Sequence, residues 1–335
     1  MLWRVFEVEY HITKLQSACH GQAVPPFKQL LCGRPLLEAL GGKMKKLKVL
    51  FFLSLLGIFN LYGKDYQKEA TELLQNGNFE QCFTLLKEWE KTEPKNLEIN
   101  IYYFNYYMHR NAKHFPTMGQ MKDGRYGVYD RVEYDLDDVK TAVSYFDKII
   151  TKQPNRLDVR SSKCTAYIYS EQYDLACDTL IEIIEYSKKN KNAWTWTENK
   201  SPKENGLLKE GEDLLFSVIN ECFTGIYFPF ESNKEFIKKI IEKETQLYPD
   251  NTWGLNHAAS YYREIGNYKK SIEILKHAVE LDPNDYVLVG NLGYAYELDE
   301  DYLNAKKWYE FMLTMDNPDA VEYGKQGLEY IKGKY

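Results

Sequence analysis

The chain has little of what marks an enzyme. No GxSxG, HExxH, Walker-type or GxGxxG stretch occurs in its 335 residues. The turns that present a nucleophile, a zinc pair or a phosphate cradle are therefore missing. Histidine is scarce, with six in all and four beyond residue 63. His109 and His114 stand five apart, which splays them around a helix, and His257 and His277 read as packing or surface residues. Six cysteines form no CxxC pair and no zinc-like spacing. The acidic pairs Asp137-Asp138 and Glu300-Asp301 read as helix N-terminal or turn carboxylates, which favour the helix dipole. No residue is named as catalytic, and neither a metal nor a cofactor is expected.

A long apolar run is also lacking. Residues 49–59 (VLFFLSLLGIF) are eleven in number with one polar member, well short of the roughly 20 needed to span a bilayer, so no stable membrane span is expected. They follow Met44-Lys45-Lys46-Leu47-Lys48, and a basic start with a short apolar core is the pattern of a secretory signal. Cleavage after Gly63 leaves a chain beginning Lys64-Asp65-Tyr66, although Leu61 stands where a small side chain is preferred. No cysteine follows the run to accept a lipid. The expectation is a non-native extension over 1–43, a signal peptide over 44–63, and a body over 64–335 exported to the periplasm or the exterior. The competing reading makes 49–62 a signal anchor. The signal type and a Lys-, Asn-, Ile- and Tyr-rich composition suggest a bacterial source.

What is present in quantity is material for a core. The chain is 44% hydrophobic and 27% charged, which excludes wholesale disorder. Residues 1–63 hold eight basic and three acidic side chains, leaving 35 basic and 46 acidic beyond them, a net of −11. Such a body disfavours nucleic acid as a partner.

Two consecutive 34-residue stretches, 252–285 and 286–319, keep the same kind of residue at the same place. Ala259 falls on Gly293, Tyr262 on Tyr296, Tyr268 on Tyr302, Ser271 on Ala305 and Leu275 on Tyr309, with Pro283 and Pro318 closing the units. This period and spacing resemble the tetratricopeptide repeat, a helix-turn-helix unit that stacks into a solenoid. The resemblance implies an all-α, right-handed α-solenoid. The same frame gives units at 63–96, 97–156, 157–190 and 191–251, with a capping helix over 320–335 that carries Ala320, Tyr323, Leu328 and Ile331. Cys82 and Cys164 occupy small packing places, and Cys164 could pair with Cys177 in an oxidising compartment.

Units two and four are 26 and 27 residues too long. The first excess lies between helices, and Asp123-Gly124 within it predicts a β-hairpin. The second opens with Asn192 to Thr197, passes ENKSPKENG, and leads to expected helices over 207–224 and 233–247. Long loops in compact proteins tend to carry function. Arg125, Tyr126 and Tyr129 in the first insert, and Trp194 and Trp196 in the second, are the candidate binding residues there. Packing of the insert onto the repeats is the simpler role for Trp194. Both inserts are expected along one edge, meeting over unit three.

First helices of stacked repeats line a concave face. The frame puts Asp158, Ser161, Thr165, Trp253, Asn256, Ser260, Arg263, Val287, Gly290, Tyr294 and Glu297 there. Of these, Trp253, Asn256, Ser260, Arg263 and Tyr294 are the candidate ligand contacts. The mixture suits a peptide or another protein. The family's carboxylate-clamping subset is not matched, since Asn256, Ser260, Gly290 and Asn291 stand where mostly Lys and Asn are needed. The function expected is a non-catalytic protein- or peptide-binding scaffold of the cell envelope. A glycan- or nutrient-binding role through the exposed tryptophans is the alternative.

Overall fold

The computed structural model describes residues 64–120 and 126–335, whose thirteen α-helices and one β-hairpin fall into two compact units. The first comprises residues up to 96 together with 114–131, the second 97–113 together with 132–335. The expected extension and signal segment, 1–63, lie outside the described residues.

In the first unit, α1 (Tyr66–Gln75) and α2 (Phe79–Thr92) form a helix hairpin. Gly77 ends α1 at φ +69°, so that Gly77 N–H reaches Leu74 O and Asn78 N–H reaches Leu73 O. Ala70, Cys82, Leu86 and Trp89 are buried between the helices, and Tyr66 stacks on Trp89 at 5.6 Å. The predicted β-hairpin is formed by β1 (Lys113–Gln120) and β2 (Tyr126–Glu133), its Asp123-Gly124 turn lying outside the described residues.

The second unit stacks α3 (Ile99–His109), α4 (Leu136–Lys152), α5 (Leu157–Tyr169), α6 (Tyr173–Lys189), α7 (Gly211–Tyr227) and α8 (Phe230–Leu247). It continues with α9 (Thr252–Glu264), α10 (Tyr268–Leu281), α11 (Tyr286–Leu298), α12 (Tyr302–Met312) and α13 (Pro318–Tyr330). Every helix packs on its successor, and the second-neighbour pairs α5/α7, α6/α8, α7/α9 and α11/α13 also touch. Contacts confined to near neighbours along the chain are the signature of a solenoid.

Local chemistry repeats with the frame. Asn251, Asp285 and Asn317 cap α9, α11 and α13, each side chain accepting two backbone N–H groups of the first turn. Gly266 leaves α9 at φ +76°, whereas Glu171 and Glu300 hold the corresponding left-handed place at +59° and +60°. A residue with a Cβ is disfavoured there by about 1 kcal/mol. Side-chain size is matched between helices: a Cβ on Gly293 would lie 2.9 Å from the Tyr309 ring. Unit five has the larger Ala259 where its partner position carries the smaller Leu275. The volume exchanged between the two positions keeps the packing close.

The cap is as expected, with Ala320 and Ile331 fully buried and Tyr323 and Leu328 packed on the core. Unit four differs in its boundaries. Its first helix begins at Gly211 because Leu207 N–H is tied to Pro202 O in a preceding turn. Its second begins at Phe230, where Pro229 O accepts the N–H of Asn233, whose buried amide in turn donates to Ile226 O. The Cys164–Cys177 disulfide left open by the sequence is not formed. Cys164 Sγ donates to Ala176 O at 3.4 Å, Cys177 Sγ turns to Phe236 O at 3.6 Å, and Cys82 and Cys222 are also free and buried.

Candidate functional site

The first helices do not present an equally open face along their length. At α5, Asp158 is held by Arg156, Ser161 Oγ donates to Asp158 O, and Thr165 Oγ1 donates to Ser161 O. Arg156 is fully buried, and its five N–H groups are all engaged by Glu98, Asp158 and Gln153. The polar residues of unit three therefore serve its own structure. At α9, His257 is buried, stacked on Phe223 at 4.1 Å and held by Glu244 and Asn220 at 3.1 Å, a packing role as the sequence suggests.

Openings occur at α9 and α11. Trp253, at the start of α9, is 43% exposed, and Lys209 Nζ lies 5.5 Å from its ring centroid. Asn256 Oδ1 accepts from Asn291 Nδ2 at 2.8 Å, joining the two first helices. Ser260 is half-buried and its carbonyl accepts from Tyr227 Oη at 3.4 Å. Arg263 is buried rather than presented, its guanidinium 5.5 Å from the Tyr294 ring. Burial pushes the Tyr294 hydroxyl up despite that cation. Gly290 departs from its expected exposure: a Cβ there would lie 3.2 Å from Met312 and from Tyr323, so α12 and α13 close over it. Glu297 is half-buried and accepts from Tyr309 Oη at 2.7 Å. Val287 remains 45% exposed.

The second insert borders this face. Lys191 and Asn192 leave α6 with φ of +55° and +57°, after which Thr195 pairs by backbone hydrogen bonds with Asn155 and Leu157 at the start of α5. Further on, Glu212 accepts from Asn251 Nδ2 at 3.0 Å, beside Trp253. The insert thus touches the N-terminal ends of α5, α7 and α9. Trp194 is 4% exposed and packed near Tyr186 within the core, the packing role that the sequence offered for it. Trp196 is half-buried against the same core. The tryptophan pair that suggested glycan stacking is therefore not displayed. Arg125 lies outside the described residues, and so do the side chains of Tyr126 and Tyr129 on β2.

Sequence reasoning missed Arg156, whose burial could not be read from a polar stretch, and it missed Leu208 and Lys209 on the insert. Among the described residues, no group of three or more His, Cys, Asp or Glu could hold a metal ion, and no helix is long and apolar enough to cross a membrane.

No curated protein matches the chain. Among solved structures, similar ones include the C-terminal part of a TPR repeat-containing protein from Cytophaga hutchinsonii, at 14% identity, covering 80% of this chain and 82% of that one with a TM-score of 0.40. A tetratricopeptide repeat protein from Parabacteroides merdae is 11% identical over 80% of this chain and 87% of its own, with a TM-score of 0.37. The assembly chaperone of RpL4 is 10% identical over 81% and 96%, with a TM-score of 0.39. A tetratricopeptide-repeat family model matches residues 254–285, which are the body of α9 and α10. The match falls on the unit that bears Asn256, Ser260 and Arg263.

Proposed function

We propose that the protein is a non-catalytic scaffold of the bacterial cell envelope that holds a protein or peptide along the first helices of its repeats. The observation that carries this reading is the row Trp253, Asn256, Ser260 and Tyr294. These side chains stay partly open on helices that are otherwise packed against their neighbours. A chain laid along the row meets an aromatic face, an amide pair and a phenol in turn, as peptide grooves provide. Residues of the two inserts, Arg125, Tyr126 and Trp196 among them, supply specificity in this reading. The envelope location rests on the signal pattern of residues 44–63.

The test is recovery of partners from an envelope extract by the wild type, by Trp253→Ala/Asn256→Ala, and by Arg125→Ala/Tyr126→Ala/Trp196→Ala. Truncating a central aromatic contact costs about 2 kcal/mol or more, roughly thirtyfold in Kd, so the groove variant is expected to lose its partner. Equal recovery by the groove variant sinks the groove reading, and equal recovery by the triple variant removes the inserts from it. N-terminal sequencing of exported protein is expected to begin near Lys64. A start elsewhere removes the envelope assignment.

A further inference from the structure

Three of the cysteines in the described residues share one core. Cys164 on α5, Cys177 on α6 and Cys222 on α7 lie in the cluster that joins units three and four, and none is more than 2% exposed. The function proposed above uses none of them. Cys164 Sγ donates to Ala176 O at 3.4 Å, whereas Cys177 Sγ turns to Phe236 O on α8 at 3.6 Å.

Helix register decides which two thiols meet. First helices of neighbouring units run in the same direction, since Asn220 and Tyr227 of α7 meet His257 and Ser260 of α9 in ascending order. Between α5 and α7, a Cβ on Gly225 would lie 2.8 Å from Ile168 Cγ2, so the two helices close up through that glycine. Cys164 stands four residues before Ile168 and Cys222 three before Gly225. At about 1.5 Å of rise per residue these steps are about 6 and 4.5 Å, and each returns to the same helix face. One turn back from the glycine contact, the two cysteines therefore face each other at nearly one level. In keeping with this, hydrogen bonding with the Cys222 thiol pushes the Cys164 thiol well up, ahead of burial and of Cys177. A cysteine has one heavy atom beyond Cβ, a length suited to the Cα separation of about 6 Å that a disulfide spans.

We propose that Cys164 and Cys222 are joined by a disulfide when the chain folds in an oxidising compartment, stapling α5 to α7. The compartment rests on the export reading above; the pairing does not. A small disulfide such as oxidised glutathione is the oxidant. The thiolate of one cysteine attacks it and expels one glutathione, leaving a mixed disulfide. The second cysteine, deprotonated, then attacks the first cysteine's sulfur and expels the other glutathione. The two thiols lose two electrons and two protons, and oxidised glutathione becomes two reduced molecules. Both thiols are sealed in the packed core, so the exchange precedes the closure of unit three on unit four. Cys177 faces α8 and Cys82 belongs to the other compact unit, so both stay reduced. The bridge encloses α6 and the whole second insert. Residues 190–210 separate α6 from α7, where 248–251 suffice between α8 and α9. A cross-link offsets the freedom that this longer connection gives the unfolded chain.

The experiment reduces and denatures the full exported protein, refolds it at pH 8 with oxidised and reduced glutathione, and blocks the remaining thiols with N-ethylmaleimide in denaturant. Non-reducing peptide mapping by mass spectrometry then reads the pairing. The expected result is one intramolecular bridge joining the peptides of Cys164 and Cys222, with Cys82 and Cys177 carrying the label. The oxidised protein should melt about 8 °C above the form refolded in dithiothreitol. Cys177→Ala should keep that difference, whereas Cys164→Ala and Cys222→Ala should lose it. Where an alanine variant fails to fold, the wild-type map decides. Where the wild type fails to refold, the map is made on the chain secreted by an expression host behind a fresh leader peptide. Four labelled thiols, a Cys164–Cys177 or intermolecular bridge, or equal melting of the oxidised and reduced forms overturns the proposal. Refolding in glutathione does not depend on where the protein resides in the cell, so the pairing and the export reading fail separately, the latter by N-terminal sequencing.

Discussion

Replacing Arg156 by Met should destabilise the protein at neutral pH by about 4 kcal/mol, because removing one partner of a buried ion pair leaves the other charge uncompensated. Arg156 is fully buried, and its guanidinium bridges Glu98 Oε1 at 2.6 Å and Asp158 Oδ2 at 2.8 Å, with Nε to Asp158 Oδ1 at 2.9 Å. The remaining two N–H groups go to Gln153 Oε1 at 3.0 Å and Glu98 Oε2 at 3.3 Å. The Glu98 and Asp158 side chains are themselves only 11% and 14% exposed, so water would solvate them poorly once the cation has gone. Arg156→Lys should cost about half as much, since three donors on one nitrogen cannot reproduce the planar fork. Adding Glu98→Gln and Asp158→Asn to Arg156→Met should recover most of the loss, because the residual penalty is carboxylate desolvation and repulsion. Urea unfolding followed at 222 nm and extrapolated linearly to water provides the measurement. A loss below 1 kcal/mol in Arg156→Met, or no recovery in the triple variant, would refute the reasoning.

Two other expectations concern titration. Burial pushes the Glu297 carboxyl up, against the lowering effect of the Tyr309 hydrogen bond. The folded protein therefore holds this proton more firmly than the unfolded chain, and stability from this group is lost as pH rises from about 4.5 through the folded value. Glu297→Gln should gain on the wild type between pH 4 and pH 7 in thermal melts; a constant difference across that range would count against it. Burial also pushes the Cys82 and Cys177 thiols up to about 11. Both should resist a thiol reagent at pH 8 in the native state and react fully in denaturant, as read by peptide mapping. Rapid native labelling at either position would contradict that burial.

The repeat could be read in the sequence because its information is local. Caps at Asn251 and Asp285, a left-handed turn at Gly266, and paired small and large residues such as Gly293 and Tyr309 all lie within one unit. The second helix of unit two, Leu136–Lys152, is bounded by equally local signals, the Asp135 cap at its start and Pro154 after its end. Positions decided by other units were not legible. Gly290 shares its place in the frame with Asn256, yet Asn256 reaches across to Asn291 whereas Met312 and Tyr323 of the closing helices crowd Gly290. Trp194 reads as a polar-loop aromatic, but backbone pairing of Thr195 with the α4–α5 junction draws its ring into the core.

That same pairing explains why the longer of the two excess segments need not be a passive loop. Four of its residues, Lys191, Asn192, Glu198 and Asn199, adopt left-handed backbone conformations without glycine, and for Lys191 and Glu198 this is disfavoured by about 1 kcal/mol each. Apolar burial of Trp194 and half of Trp196 offsets this strain, which a loop serving only to join α6 to α7 would have no cause to accumulate. The held conformation places Lys209 beside Trp253 and hence at the open end of the first-helix row. An insert fixed in this way adds side chains to the groove at little further ordering cost on binding, since its backbone is already arranged. Specificity is then expected to follow the insert's side chains, while the repeats supply the platform on which they stand.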